Sequence, residues 1–587
     1  MHVIATAGHV DHGKSALVEA LTGTAPDRLE EERRRGLSIQ LGYAWTSLPG
    51  VGDLAFVDVP GHERFVTTML AGVGPVPAVL FVVAADDPWM PQAAEHLAAL
   101  DALQVEHAVV AVTRSDLADP GPAMDRAAAE LASTSLRGSP VVSVSSRTGS
   151  GLPELRTRLV DLVTGVPPAD PHADVRLWLD RRFTISGAGT VVTGTLPAGT
   201  IAVGDRLSTG TATVRVRGVQ ALGQVVESVS GLARVALNVS GDVADLDRAG
   251  SLTTPGAHHW TEVVDVRIAG DVARLPSHPM LHVGALSLTT RCRPLADDLV
   301  RLTLPQPLPL RVGDRALVRD PGNRQVWGAH VLDPLPPPLR RRGAAVERAG
   351  ALHEVTGVPD LASEVRRREV VDLDTLRQLG VPASTAVESV VRAGRWVMSA
   401  DRAEAAAAQV LELVTDHDRA RPLDRGLPLA VLADRLHLPS PELVAAVLRE
   451  PLRLVEGRVL APAGDVLPVE LERALTRLAE ELSTNPFQAP TADRLRDLGL
   501  DPTRVAAAAR AGRLLRLAPG IVLMPGAERR AVEALGVLPQ PFTTSQARSH
   551  LGSSRRVVLP LLEHLDRARL TRRLPDDRRV VLEGSSG

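Results

Sequence analysis

Lysine is almost missing from this chain. Of the 66 Lys and Arg residues among 587, only Lys14 is lysine. Cysteine is as scarce: the single Cys292 excludes an intrachain disulfide and a cysteine-ligated zinc, which fits a reducing, cytoplasmic setting. Aromatics make up 2% of the residues, so the cores must be built from Val, Leu, Ala and Ile. There is no apolar run of about 18 residues and no early apolar segment of the signal type, so neither secretion nor a membrane partner is expected. Nor does one sign of charge dominate: 66 basic against 69 acidic side chains leave −3. Nothing in the chain signals oligomerisation, and a monomer is the default. The near-total choice of arginine, with 48 Gly and 45 Pro, reads as compositional bias, so ordinary Arg runs say little about nucleic acid. The length suggests roughly four domains at about 150 residues each.

Against that background the position of Lys14 is informative. Residues 1–15, MHVIATAGHVDHGKS, contain G-x-x-x-x-G-K-[ST] with Gly8, Gly13, Lys14 and Ser15 in register. The apolar run His2–Ala7 predicts a buried strand, and SALVEAL (Ser15–Leu21) predicts a helix. That strand–loop–helix context is the one a phosphate-binding loop requires. Its backbone N–H groups and the helix N-terminus face phosphate oxygens. Asp11, His12, Gly13, Lys14, Ser15 and Ala16 are therefore the expected nucleotide contacts. Lys14 reaches the β- and γ-phosphates and Ser15 ligates Mg²⁺. A compact ammonium suits this cradle and a planar guanidinium does not, which explains why one lysine survives where every other basic position is arginine.

Three further strand-like runs end in polar residues. LAFVDVP (Leu54–Pro60) puts Asp58 beside the Mg²⁺ shell and is followed by Gly61, whose N–H can face the γ-phosphate. AVVAVTRSD (Ala108–Asp116) ends in a carboxylate able to accept from the N1–H and N2–H₂ groups of guanine, which adenine lacks. The turn after VVSVSS (Val141–Ser146) brings Ser145 and Ser146 to support the base. A guanine nucleotide, GTP, is therefore the expected ligand. Strands alternate with helical stretches at Ala93–Leu103 and Pro122–Leu131, which predicts a parallel sheet over residues 1–168 with its ligand loops at the strand C-termini. Between the first two motifs lies a charged segment, Asp27–Ser38.

In this order and spacing, G-H-V-D-H-G-K-S, D-V-P-G-H-E and T-R-S-D resemble the translational GTPases of the elongation-factor-Tu type. The resemblance implies that His62 aligns the attacking water and that Val10 and Ile39 form an apolar gate, released when the ribosome triggers hydrolysis. It also implies that the 27–40 loop is a switch whose Ser38 hydroxyl joins Ser15 and Asp58 at Mg²⁺. Three residues depart from the usual pattern. Ser38 stands for Thr, Thr113 for Asn, and Arg114 for a Lys whose stem covers the guanine ring; Arg114 can stack on the base in its place.

Prolines at 167, 168 and 171 form a stiff linker, and β-branched residues with turn signals every 8–12 residues then predict two small β-barrels, 172–255 and 256–335. RRFTISGAGTVVTGT resembles the second domain of the same GTPases, and His282-Val283-Gly284 with Arg311–Arg319 the third. Within them the selenocysteine-specific elongation factors are the nearest resemblance. It implies a selenocysteine pocket at Asp180, Arg181 and Arg234, where two guanidiniums select a selenolate over a serine hydroxyl.

After the Pro-rich DPLPPPLRRR comes a tail, 343–587, of helix–turn–helix–strand-pair blocks. These predict four winged-helix modules at about 343–400, 401–465, 466–530 and 531–587. The same resemblance implies that the last grips an mRNA hairpin (SECIS), with Arg548, Arg555, Arg556, Arg572 and Arg573 as candidates. The expected fold is therefore multidomain: an α/β P-loop GTPase domain, two small β-barrels and four tandem winged-helix modules. The expected function is GTP-dependent delivery of selenocysteinyl-tRNA to the ribosome at UGA codons marked by that hairpin. A general translation factor of the same plan and a GTP-binding regulator without this cargo remain open at this point.

Overall fold

The computed structural model describes residues 1–582 except 27–39, 63, 64, 88, 188, 324, 384–386, 388, 422, 423 and 463–466. Two compact units emerge, Met1–Val387 and Glu388–Gly587.

The first unit opens with β1 (His2–Gly8), helix α1 (Lys14–Thr22), β2 (Gly42–Leu48), β3 (Gly52–Asp58), β4 (Ala78–Ala84), β5 (His107–Thr113) and β6 (Val141–Ser143), with helices interleaved after β3, β4, β5 and β6. The sheet order is β2-β3-β1-β4-β5-β6. Every residue of β4 (AVLFVVA) is buried, as expected of a strand covered on both faces. The chain leaves β1 toward β3 on one side and returns to β4 on the other, so the loop after β1 sits where the connections reverse direction. One expectation is corrected here: the sheet is not wholly parallel. β2 pairs antiparallel with β3 because residues 49–51 form only a tight turn, and a parallel connection needs a long crossover.

The two middle segments are β structures, as the turn spacing indicates. In the first, seven strands form a sheet that closes on itself through the pairing of Arg206–Ser208 with Thr213–Ala221. Its core is Val, Leu, Ala and Ile without an aromatic among its fully buried members. The second is another seven-stranded sheet around Trp327 and aliphatic residues. The three domains bear on one another. Arg176 of the first barrel pairs with Asp314 of the second, and Arg319 reaches Glu95 of the α/β domain at 3.4 Å.

The Pro-rich segment after Asp333 does not behave as a free linker. Asp265 and Asp333, both fully buried, are held by guanidiniums from either side of it. Arg301 donates twice to Asp265, at 2.7 and 2.9 Å, and Arg348 once, at 2.7 Å. Asp333 accepts from Arg348, Arg367 and Arg368, and Glu364 pairs with Arg367 and Arg368. Burial pushes the Asp333 carboxyl up, but the Arg367, Arg368 and Arg348 charges together hold it at about 2. Leu352 and Val355 pack with Leu299 and Leu332 beside this cluster. The helices Ala344–Leu352, Leu361–Arg368 and Leu373–Gln378 therefore stay with the first unit, because burying these charges on both sides of the segment makes it one core.

In the second unit the hairpin Val390–Ala393/Trp396–Ser399 precedes three blocks of one kind. In each, a leading helix precedes the two helices and the β-hairpin read from the sequence. The first runs from the helix Ala400–Ala420 to the strand Arg458–Leu460, the second from Val469–Thr484 to Ile521–Leu523, and the third from Ala527–Gly536 to Arg579–Val581. Side-chain caps start the helices at Ser399, Thr491, Asp501 and Thr543.

Candidate functional site

The loop between β1 and α1 is shaped by residues that tolerate its backbone. Gly8 has φ 128°, and any Cβ there would collide with the Val82 carbonyl. Asp11 and Gly13 adopt left-handed conformations, φ 63° and 79°. Lys14, 7% exposed, donates from Nζ to the Gly8 and His9 carbonyls at 3.1 and 2.7 Å. The loop is braced from below by the helix Pro91–Ala102. The Gly8 N–H donates to His96 Nδ1 at 3.0 Å, and burial, with Lys14 and His9 nearby, depresses the His96 pKa to about 3, so the ring stays a neutral acceptor. The His12 ring is fully buried and meets Asp87 at 3.2 Å through Nε2. Burial and His9 bring its pKa to about 4, so Nε2–H is the donor at neutral pH.

Ser15 Oγ donates to Asp58 Oδ2 at 2.6 Å, and Thr6 Oγ1 to Asp58 Oδ1 at 2.7 Å. Thr6 in turn accepts from the Val59 N–H. A hydroxyl and a carboxylate oxygen are thus held together at the β3 C-terminus, the hard-oxygen donor set that suits Mg²⁺. Gly61 lies against this point: a Cβ on it would strike the Lys14 ammonium and the Val10 N–H. The bare backbone at Gly61, the lysine and the loop enclose a cradle of phosphate-binding type, so the residues fit both the nucleotide and the ion. His62 is half-buried, 5.9 Å from the Phe65 ring centroid to centroid, and Val10 is half-buried in the loop. Ile39 and Ser38, with the rest of the expected switch up to residue 39, lie outside the described residues.

At the other end of the cradle the Thr113 hydroxyl donates to the His12 carbonyl at 2.7 Å. A short hydroxyl therefore ties β5 to the phosphate loop, at the position where Asn is expected. Arg114, φ 58°, directs its guanidinium to Asp86 and to the Asp11 carbonyl. Asp116 accepts from Ser145 Oγ at 2.7 Å, and that bond leads the causes that lower its carboxyl pKa. The Ser145 hydroxyl also accepts from the Thr148 N–H, which fixes the turn beside Ser146.

Asp180, Arg181 and Arg234 are brought together, and they are joined by a residue that the sequence reading missed. Arg234 pairs with both oxygens of Asp180, and Thr193 donates to the same carboxylate at 2.6 Å. Arg234 also donates to the Tyr43 hydroxyl at 2.7 Å and lies 4.1 Å over the Tyr43 ring, with Arg181 at 5.3 Å. Arg181 reaches the Leu41 carbonyl. Two guanidiniums thus lie against the ring of the chain's one tyrosine, which comes from β2 of the α/β domain. Its uniqueness was the signal available in the sequence.

The tail arginines are dispersed by comparison. Arg556 donates to the Pro490 carbonyl at 2.7 Å and Arg573 to Asp577. Arg548, Arg555 and Arg572 are exposed.

Three family models match: the elongation factor Tu GTP binding domain at residues 1–165, the beta-barrel domain of selenocysteine-specific elongation factor at 276–338, and the winged helix of elongation factor SelB at 534–580. A selenocysteine-specific elongation factor from Desulfomicrobium baculatum is 30% identical over 98% of this chain and 99% of its own length. The one from Escherichia coli K12 is 37% identical over 58% of this chain, which is 56% of that relative. A crystal structure of a bacterial selenocysteine-specific elongation factor, EF-Sec, shares the fold over 99% of this chain at TM-score 0.75 and 24% identity.

Proposed function

The chain belongs to the selenocysteine-specific elongation factors, and we propose that it hydrolyses GTP, when stimulated by the ribosome, to deliver selenocysteinyl-tRNA at UGA codons marked by an mRNA hairpin. In this reading Lys14 binds the β- and γ-phosphate oxygens, exchanging its loop carbonyls for them. The N–H groups of residues 11–16 and Gly61 complete the cradle, and Asp116, steadied by Ser145 and with Ser146 beside it, reads guanine. Ser15 and Asp58, with Ser38 of the switch, would hold Mg²⁺, which would supply positive charge against the transferring phosphoryl group. His62 orients a water on the γ-phosphorus behind the Val10–Ile39 gate. Its oxygen bonds to phosphorus as the β–γ bridge breaks, giving GDP and phosphate. Arg114 covers the base with its stem while Asp86 holds its head.

The observation that carries the cargo assignment is the convergence of Arg181 and Arg234 on Tyr43, with Asp180 and Thr193 fixing one of them. A selenol is the more acidic chalcogen hydride and is anionic at neutral pH, so paired guanidiniums favour it over a neutral hydroxyl. In this reading the tail supplies four winged-helix modules, and the last holds the hairpin through Arg548, Arg555, Arg556, Arg572 and Arg573. Contact there is with backbone phosphates and splayed loop bases, because an A-form major groove is too narrow to read. The factor works as a cytoplasmic monomer.

The test is the dissociation constant, with GTP bound, for selenocysteinyl-tRNA and for seryl-tRNA of the same tRNA body. A preference of about 10²-fold, or about 2.7 kcal/mol, that disappears in Arg234→Ala is expected. Equal binding of both cargoes would remove the pocket as a selenol reader.

A further inference from the structure

The phosphate-loop pattern specifies Gly8, Gly13, Lys14 and Ser15 and leaves the residues between the two glycines free. Two of them are histidines, His9 and His12, although a phosphate cradle asks only for backbone N–H groups there. Neither ring is a solvated surface group: His9 is 8% exposed and His12 is fully buried. Nor are the rings used up by hydrogen bonds. His12 meets Asp87 through Nε2 at 3.2 Å, while the Nδ1 atoms of both rings are buried with no hydrogen-bond partner, a costly state for a polar atom.

One nitrogen from each ring and one carboxylate oxygen of Asp87 lie within 4.8 Å of one another, a grouping that no other such side chains form among the described residues. Its spacing is that of a coordination shell. In a tetrahedron with bonds of about 2.0–2.1 Å, neighbouring ligand atoms are about 3.3 Å apart and the centroids of two ligating imidazoles about 5 Å. Here the His12–Asp87 contact is 3.2 Å, and the His9 and His12 centroids are 4.9 Å apart with the rings at 67°. Burial lowers the pKa of both rings, that of His12 to about 4. Each therefore keeps a lone pair at neutral pH, as metal ligation requires. The charges around His9 also lean toward a cation, with Asp87 and Asp11 set against Lys14. The Asp87 side chain is 32% exposed, which leaves a way in from solvent.

We propose that His9, His12 and Asp87 bind a dication of the Zn²⁺ class, at a site separate from the Mg²⁺ oxygens of Ser15 and Asp58. Two imidazoles and one carboxylate are the donors of such a borderline metal, whereas Mg²⁺ takes oxygen. The ion replaces the proton that His12 Nε2 shares with Asp87. The ring's one proton passes to Nδ1, so His12 stays neutral and no proton is released overall. The free lone pair of His9 supplies the second nitrogen, and water completes the shell. Bound there, the ion ties two residues of the phosphate loop to the segment that follows β4.

The experiment takes the full chain, free of nucleotide and stripped with EDTA, dialyses it against Zn²⁺ and counts the metal retained. Co²⁺ in its place reports the geometry through its visible absorption. The parent should hold one ion per chain, show the intense bands of tetrahedral Co²⁺, and keep its Zn²⁺ in excess Mg²⁺. His9→Ala and Asp87→Asn should each weaken Zn²⁺ binding by at least about 10-fold. Zn²⁺ should also raise the unfolding midpoint of the parent, because it binds only the folded site, and leave that of His9→Ala where it was. Equal Zn²⁺ affinity in the parent and both variants means adventitious binding by other histidines and overturns the proposal. Displacement of Zn²⁺ by Mg²⁺ overturns it as well. Should His9→Ala fail to fold, Asp87→Asn, which keeps the volume of the side chain, decides alone. Undiminished Zn²⁺ binding in that variant would leave the His12–Asp87 pair as a brace of the loop and nothing more.

Discussion

Two polar interiors lie within the first unit, and they are built on opposite terms. Around the phosphate loop, partners are exchangeable: Lys14 donates to two backbone carbonyls, Ser15 to a carboxylate that Thr6 also holds, and Thr113 to a carbonyl. Around Asp265, Asp333 and Glu364, four guanidiniums meet three carboxylates with little left over. A ligand can displace a neutral carbonyl from an ammonium because the phosphate it offers is the stronger partner. No small ligand competes with several buried guanidinium–carboxylate pairs at once. The first arrangement is that of a binding site and the second that of a joint, although both are buried, charged and hydrogen-bonded.

The strongest way to break that contrast is to remove a carboxylate from the joint. Asp333→Ala leaves three guanidiniums facing a void, and a buried charge stripped of its partner costs about 3–5 kcal/mol. The midpoint of denaturant unfolding should fall accordingly while GTP affinity stays put; a fall in affinity of the same size would mean that the joint also shapes the site. The pH dependence gives a second reading of the same residue. Its pKa is lowered to about 2, below the ordinary carboxylate value of about 3.9. Its contribution is therefore complete above about pH 4 and drains away as the pH falls toward 2. The variant should lack that acid limb.

The mirror experiment is at Lys14. Lys14→Ala should weaken GTP binding by at least about 10²-fold, about 2.7 kcal/mol, with little change in the unfolding midpoint measured without nucleotide. Lys14→Arg should not restore it, since the planar fork does not reproduce a point charge in a cradle closed by Gly61. Rescue by arginine would undo the inference drawn from the lone lysine.

How each interior stood in the sequence follows from how it is assembled. The candidate nucleotide site was legible as a constellation because the phosphate-loop pattern sets Gly8, Gly13, Lys14 and Ser15 within eight residues, and Asp58 and Asp116 sit at strand ends that announce themselves by apolar runs. The joint gathers partners as far apart as Arg348 and Asp265, 83 residues, and no local pattern marks them; DPLPPPLRRR looked like a boundary for that reason. His96 was invisible for the same cause, and Tyr43 stood out only as the chain's one tyrosine, since β2 and the helix Pro91–Ala102 meet their partners only through the fold. In the tail the hairpins were legible from Val/Arg runs, but the leading helices Ala400–Ala420, Val469–Thr484 and Ala527–Gly536 were not separated as elements, because Ala, Arg and Glu fill them and the segments around them alike. The antiparallel β2 was missed because its hydrophobic pattern is the same in either direction.

The smallest expected effect is the finest probe of the site's exchangeable contacts. Thr113 joins β5 to the phosphate loop through one hydrogen bond, from its hydroxyl to the His12 carbonyl at 2.7 Å, with the Val83 carbonyl a second acceptor at 3.1 Å. Thr113→Val keeps the shape and removes the donor, leaving a buried carbonyl short of a partner, at a cost of about 1–2 kcal/mol. Because His12 belongs to the loop, part of that cost should fall on nucleotide binding, as a roughly 3–10-fold rise in the dissociation constant for GTP. Thr113→Asn, whose amide can donate to the same carbonyl, should bring the value back toward that of the parent. If Val is silent and Asn is not, the hydroxyl is only filling space, and the link between strand and loop must lie in the Arg114 contact to the Asp11 carbonyl. In that case the exchangeable contacts of the nucleotide end stop at Lys14 and Ser15, and the guanine end is held as rigidly as the joint.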